Sequence, residues 1–362
     1  MRYFAGFLIF LSVVNLKIGV SNDVTQDVII FRALQLLLKV AFIVIYSKYF
    51  TIKYSWLNFL FISFVLWRVF NISFELESIL LSVEFLVNIL FLIIYVYWLG
   101  INGLRYLVFP LNLLMIYVLL GFIFLPEYFT VELNDGIMLK STLPAMNPNA
   151  LGQIGVVCLL CARLKWLRIL SFMFVLLSRS RAALFFVLFW IYTRLSRHRK
   201  VFLSLVVLFA GMVFGNFLVN YIQRGQDLST FLTISSRTLI WESALSQFDN
   251  HWISGFGSFK GVELLFDKVS ADISMDIITL DNGYISLLVE DGMVGLILFL
   301  SVCIRALYKM RIYRLEFTLL CFFMYRGFFT SSLILSSNYI FWYLIVLSLF
   351  LSNGHEDSPS FE

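Results

Sequence analysis

Apolar runs near twenty residues long recur from one end of this 362-residue chain to the other, separated by short polar breaks. A helix of about twenty residues is what spans about 30 Å of hydrocarbon. The chain is 61% hydrophobic and only 14% charged, against about 25% charged in ordinary soluble domains. A water-soluble core cannot use that much apolar surface, so lipid is the expected solvent. Runs at 3–19, 28–46, 56–73, 79–99, 106–125, 145–162, 166–178, 182–193, 201–221, 291–308, 315–334 and 338–352 read as about twelve membrane-spanning helices. The expected fold class is an all-α polytopic membrane protein. The first run lacks a small-residue cleavage site and is followed by further spans, so it reads as a span and not as a cleaved signal.

The net charge of +5 could suggest a nucleic-acid binder, but the cations sit in short loops between apolar runs, where they report topology. One set of alternate loops carries Arg2, Lys48, Lys53, Arg105, Arg163, Lys165, Arg168, Arg194, Arg197, Arg199, Lys200, Arg305, Lys309, Arg311 and Arg314. The opposite set carries Asp23, Asp27, Glu75, Glu77, Glu127, Glu132 and Asp135. By the positive-inside rule both termini are cytoplasmic. Segments 126–144 and 222–289 then lie outside, and the second carries eight acidic residues against four basic ones, a net of −4. An anionic ligand there must rely on individual arginines. The expected organisation is nine spans over 1–221 with a polar turn at 178–181, a large outer loop over 222–290, three spans over 291–352 and a tail over 353–362. Cys158 and Cys161 have the spacing of a metal or redox pair, yet no His or further Cys lies nearby, so they read as small packing residues and no metal is expected.

The runs at 166–177 and 182–193 offer only about twelve apolar residues each, roughly 18 Å of helix. Neither crosses a bilayer alone, so Ser178-Arg179-Ser180-Arg181 between them is sunk below the outer surface. Arginines at membrane depth snorkel to headgroups or line a wet cavity and meet an anion. In the second case Arg179 and Arg181 form a phosphate clamp, since guanidinium forks match phosphate oxygens. Arg32, Arg68, Glu84 and Arg326 fall in the outer halves of their spans, and Lys39 lies near the middle of its own. Arg32, Gln35 and Lys39 share a helix face. These charges either line an outward-facing polar cavity or, for Arg32, Arg68 and Glu84, anchor helix ends. Arg326, well inside a span, is the stronger functional candidate.

Within the large loop, Ser235 or Ser236 can cap a helix whose stripe of Ile240, Trp241, Ala244, Leu245 and Phe248 rests on the membrane or on the bundle. Arg237 at its start would add a cation to free backbone N–H groups, a reasonable anion site. His251 precedes the tight turn Gly255-Phe256-Gly257 and reads as structural or catalytic. Asp281, Asn282 and Glu290 stand where the loop re-enters the bilayer, as a general base and sugar-hydroxyl ligands or as turn and cap residues.

Taken in order, these pieces resemble the O-antigen polymerase and ligase superfamily over residues 145–300. The resemblance rests on Asn147-Pro148-Asn149 opening a span, the Leu177-to-Leu184 turn, Ser236-Arg237 before Trp241, the 251–257 stretch, and Asp281-Asn282-Gly283-Tyr284 followed by Glu290-x-Gly292-x-x-Gly295. It implies a GT-C-like membrane glycosyltransferase of the bacterial cytoplasmic membrane. The implied partners are undecaprenyl-pyrophosphate-linked oligosaccharide, membrane lipids and a chain-length regulator protein, with no cofactor and no nucleic acid. It further implies Arg179, Arg181 and Arg237 at the leaving diphosphate, Asp281 as base or hydroxyl-orienting group, and Glu290 and His251 behind it. Arg32, Lys39, Arg326, Asn149, Asn282, Gly255 and Gly257 are the expected substrate contacts. Asp281 stands where many members, ligases included, carry histidine, which favours a repeat-unit polymerase over a ligase. A flippase is the rival from another class. It would show repeat symmetry and gates on both faces, whereas the polar features here favour one face.

Overall fold

The structure is a computed structural model that describes residues 3, 24–47, 56–72, 76–133, 136–139, 141–142, 145–146, 148–195, 241, 244–246, 248, 251–259, 262, 282–311, 313–329 and 339–352. In chain order, the helices are α1 (Val24–Tyr46), α2 (Trp56–Phe70), α3 (Leu76–Leu99), α4 (Gly103–Phe124), α5 (Pro148–Cys161), α6 (Lys165–Leu177), α7 (Arg181–Arg194), α8 (Gly283–Met310), α9 (Arg314–Gly327) and α10 (Tyr339–Ser352). Two small antiparallel ribbons interrupt the helices between α4 and α5. Strand β1 (Thr130–Leu133) pairs with β2 (Gly136–Leu139), and β3 (Ser141–Thr142) with β4 (Ala145–Met146). Among the described residues the expected all-α class holds except over 130–146, where β-branched Thr130, Val131 and Ile137 suit short paired strands. The spans read at 3–19 and 201–221 lie outside the described residues, apart from Tyr3.

The helices are patterned inside out relative to a soluble protein. On α2, Phe59, Ile62, Leu66 and Phe70 face outward, while Arg68 is 1% exposed. On α1, Leu37 and Val44 are exposed and Lys39 is 2% exposed. Water would reverse both choices; lipid favours them, because hydrocarbon solvates the apolar face and the charge is sheltered by protein. The stretch Ser78–Phe124 and helix α8 are long and apolar enough to cross a membrane, and α2, α5 and parts of α1 and α10 are shorter apolar helices.

The chain divides into two compact units: Met1–Val13, Thr25–Leu107 and Ser235–Glu362 form the first, and Val14–Val24 with Val108–Ile234 the second. In the first unit, α2, α3, α8 and α10 meet at Phe64, Phe85, Phe299, Phe341 and Trp342. Their rings lie 5.2–6.4 Å apart at tilted, stacked and edge angles. In lipid such a cluster is held by van der Waals contact more than by exclusion of water. The corner from α3 to α4 is fixed by two buried tyrosines: Tyr343 Oη donates to the Gly100 carbonyl at 2.7 Å, and Tyr95 Oη to the Gly103 carbonyl at 2.9 Å.

Helix α8 begins at Gly283, not at residue 291 as the apolar run suggests, and it is broken at Gly292 (φ 67°, ψ −170°). Asn282 caps its start, its side-chain oxygen accepting from the backbone N–H of Tyr284 at 3.0 Å and of Ile285 at 3.2 Å. Hydropathy misses this first segment because Tyr284, Ser286, Glu290 and Asp291 dilute the apolar run. Asn282→Ala should remove about 1 kcal/mol of capping. Faster amide exchange at Tyr284 and Ile285 is the expected result.

Candidate functional site

In the first unit, the turn over 251–259 seats on the break in α8. The backbone N–H of Phe256 donates to Val289 O at 2.8 Å and that of Gly257 to Glu290 O at 3.0 Å. In return, Met293 N–H donates to Trp252 O at 2.8 Å. The approach is so close that a Cβ on Gly255, whose φ is +71°, would lie 2.5 Å from Glu290 O, and one on Gly292 would overlap the Ile253 carbonyl. Both positions need glycine for space and for a left-handed φ. Next to the turn, Ala244 and Phe248 are fully buried with Val289, against Phe256, Ile285 and Leu288. Of the loop stripe, these two residues rest on the helical bundle.

Three charges lie under this seat. Arg68 Nη2 donates to Glu290 Oε2 at 2.6 Å, and its Nε stands 3.4 Å from Asp291 Oδ2, at ion-pair distance without hydrogen-bond alignment. Ser258 Oγ donates to Asp291 Oδ1. Phe85 and Phe259 cover the guanidinium, with centroids 5.5 and 4.7 Å from its Cζ. Arg68 is therefore not an exposed helix-end anchor but a buried partner of two carboxylates. Glu290 is likewise held by an ion pair at this seat, and His251 stacks on Phe256 at 4.4 Å with its own side chain exposed.

In the second unit, helices α6 and α7 have 13 and 14 residues, roughly 20 Å each, and the turn between them is buried. Ser178 and Ser180 are 0% and 2% exposed and Arg179 is 9%. Ser178 Oγ donates to Val175 O at 2.8 Å, and Ser178 N–H donates to Phe174 O at 3.0 Å. Arg179 (φ +46°) takes the left-handed position that ends many helices, where glycine is usual because a side chain is strained. The turn packs on α5, where a Cβ on Gly152 would overlap Ser180 and come within 3.0 Å of Ser178 Oγ, and one on Gly155 would lie 2.7 Å from Val175. Arg181 opens α7 and Asn149 stands in the first turn of α5, so two helix starts and two arginines share this level. Helix starts favour negative charge.

The structure thus brings His251, Gly255, Gly257 and Glu290 together at one seat, with Asn282 at the start of the same helix α8. Arg179, Arg181 and Asn149 gather at the other. Lys39 Nζ donates to Asn88 Oδ1 at 2.6 Å and Tyr339 Oη at 2.7 Å. Arg326, 8% exposed in the last turn of α9, has no carboxylate of the described residues at ion-pair distance. Tyr284 Oη donates to Met324 O at 2.7 Å, which puts that end of α9 beside the start of α8. The side chain of Arg32 and all of Arg237 and Asp281 lie outside the described residues, as do the capping serines 235 and 236. Among the described residues no group of His, Cys, Asp or Glu is set to hold a metal, and Cys158 and Cys161 are not joined by a disulfide. Sequence reasoning missed Asn71, Trp67 and Ser258; Asn71 alone carries a signal, as a polar residue at the end of an apolar run.

Apolar faces turned outward, charges sheltered between helices and a polar turn buried between two short helices are consistent with a helical membrane protein. Residues 166–300 match the family model described as O-antigen ligase. That segment is similar to the O-antigen polymerase and ligase superfamily, whose members are membrane glycosyltransferase-like enzymes of lipopolysaccharide and polysaccharide biosynthesis. It contains the 178–181 turn, the 251–259 turn and the broken start of α8, and it excludes Arg68, Asn149 and Arg326. No curated protein matches the chain.

Proposed function

We propose that this chain polymerises oligosaccharide repeat units carried on undecaprenyl pyrophosphate, at the outer face of a bacterial cytoplasmic membrane, with both termini cytoplasmic. The observation that carries the reading is Arg179, held in a strained left-handed conformation within a buried turn between two helices too short to cross a bilayer. Strain of this kind, where glycine would relieve it, argues that the guanidinium is needed. In the reaction an acceptor hydroxyl oxygen bonds to the anomeric carbon of the lipid-linked sugar. The bond from that carbon to the diphosphate breaks, its electron pair stays on the phosphate oxygen, and the hydroxyl proton passes to Asp281. Arg179, Arg181 and Arg237 stabilise the charge gathering on the leaving group, while Lys39, Arg326, Asn149 and Asn282 bind the substrate. Asp281, in place of the histidine common among ligases, favours polymerase over ligase.

Chain growth from purified lipid-linked repeats in proteoliposomes tests this reading. Wild type should extend the repeats, and Arg181→Ala should lower the rate on the order of 100- to 1,000-fold, the usual cost of removing one stabilising donor, with membrane insertion intact. Transfer of preformed glycan to a lipid acceptor without extension would instead make the chain a ligase, and passage of unaltered repeats across the bilayer would make it a transporter.

A further inference from the structure

Arg68 lies 222 residues before Glu290 and outside the family segment, yet it meets both acidic residues at the break in α8. Its neighbours on α2 and just beyond extend the same contact. Trp67 Nε1 donates to Asp291 O at 2.9 Å, and Asn71 Nδ2 donates to Ser254 O at 2.6 Å and Glu290 O at 3.3 Å. The Asn71 carbonyl in turn accepts from Ser258 N–H at 2.6 Å, and Ile72 bridges Ser258. One end of α2 therefore touches the 251–259 turn and the α8 break at once, and the turn touches the break directly.

We infer that Arg68, with Asn71, is a positioning residue that clasps the 251–259 turn onto the broken start of α8. Its catalytic consequence rests on the glycosyltransferase reading above; the clasp itself does not. Two carboxylates so close together repel, and neither tolerates burial alone. The Arg68 guanidinium reaches Glu290 with one nitrogen and stands at ion-pair distance from Asp291 with another, while Phe85 and Phe259 pack against it from one side, a span that a compact ammonium cannot reproduce. Breaking a buried ion pair from one side leaves an uncompensated charge, which is costlier than never having had the pair. The break at Gly292 exposes backbone groups of α8, and the turn is what satisfies them; without the clasp, that exchange of hydrogen bonds loses its support.

Hydrogen–deuterium exchange on the full chain in nanodiscs tests this directly, because the amides of Phe256, Gly257, Ser258 and Met293 are bonded across the contact. In Arg68→Met these amides should exchange on the order of 100-fold faster, while those of α10 keep their wild-type protection. Arg68→Lys, which keeps a cation, should recover part of that protection and part of the chain-growth activity lost in Arg68→Met. Unchanged protection of 251–259 in Arg68→Met overturns the clasp. Should Arg68→Met lose protection throughout, Asn71→Ala decides: selective exchange at 251–259 supports the clasp, and wild-type protection there overturns it. If wild type makes no polymer while the exchange pattern holds, the polymerase reading fails and the clasp stands.

Discussion

Gly292→Ala is expected to abolish glycan synthesis and to unseat the 251–259 turn while the chain still inserts into the membrane. The backbone there has φ 67° and ψ −170°, a region essentially reserved for glycine, and a side chain held in it costs on the order of 1–3 kcal/mol. The new methyl group would also overlap the Ile253 carbonyl and stand 2.6 Å from the Gly255 amide. Those atoms are backbone in a turn already bonded on both sides, so they cannot move aside as a flexible side chain would. Strain and overlap act together, and the turn must leave. Exchange of the Phe256, Gly257 and Met293 amides should rise together, with chain growth lost in the same preparation. Wild-type protection in the variant would mean that the break in α8 tolerates a side chain and that the glycine is not what the seat requires.

The second large effect is expected at the other seat, where stability and activity should move in opposite directions. Arg179→Gly places glycine at a left-handed φ of +46°, relieving strain worth on the order of 1 kcal/mol. The same change removes a guanidinium assigned to the leaving diphosphate, at a cost of about 2.7–4 kcal/mol in the transition state. The variant should therefore resist heat at least as well as wild type and form polymer on the order of 100-fold more slowly or worse. Arg179→Lys, which keeps the charge but not the fork, should recover little. A variant both more stable and fully active would show that the arginine serves neither backbone nor chemistry, and would remove it from the proposed clamp.

The two seats differ in how far they could be read in advance. The short helices α6 and α7 are visible in the chain because the length of an apolar run is a local property, and the polar turn between them is equally local. That Ser178 and Ser180 are buried follows from Gly152 on α5, while Gly155 lets Val175 and Phe174 of α6 come close, a spacing of small residues that hydropathy alone does not flag. The start of α8 was misplaced because Glu290 and Asp291 look like loop residues until Arg68 and Ser258 are beside them. The ribbons at β1 to β4 escaped for a related reason: four- and two-residue strands are too short to carry a period.

The most instructive case is the group of membrane arginines. By sequence, Arg68 and Arg326 are both cations in the outer halves of apolar runs, and Arg326, deeper in its run, is the stronger functional candidate. Tertiary structure separates them: Arg68 is neutralised by two carboxylates from a distant helix, whereas Arg326 has no such partner among the described residues. The chain by itself points to lipid as solvent, to the helical class and to a polar turn at 178–181 between two short apolar helices, since hydrophobic length and composition are sums over neighbouring residues. Which charges are spent on holding the protein together and which remain for a ligand was decided only by folding. Ion pairing acts over a few ångströms between groups hundreds of residues apart, and no local pattern records it.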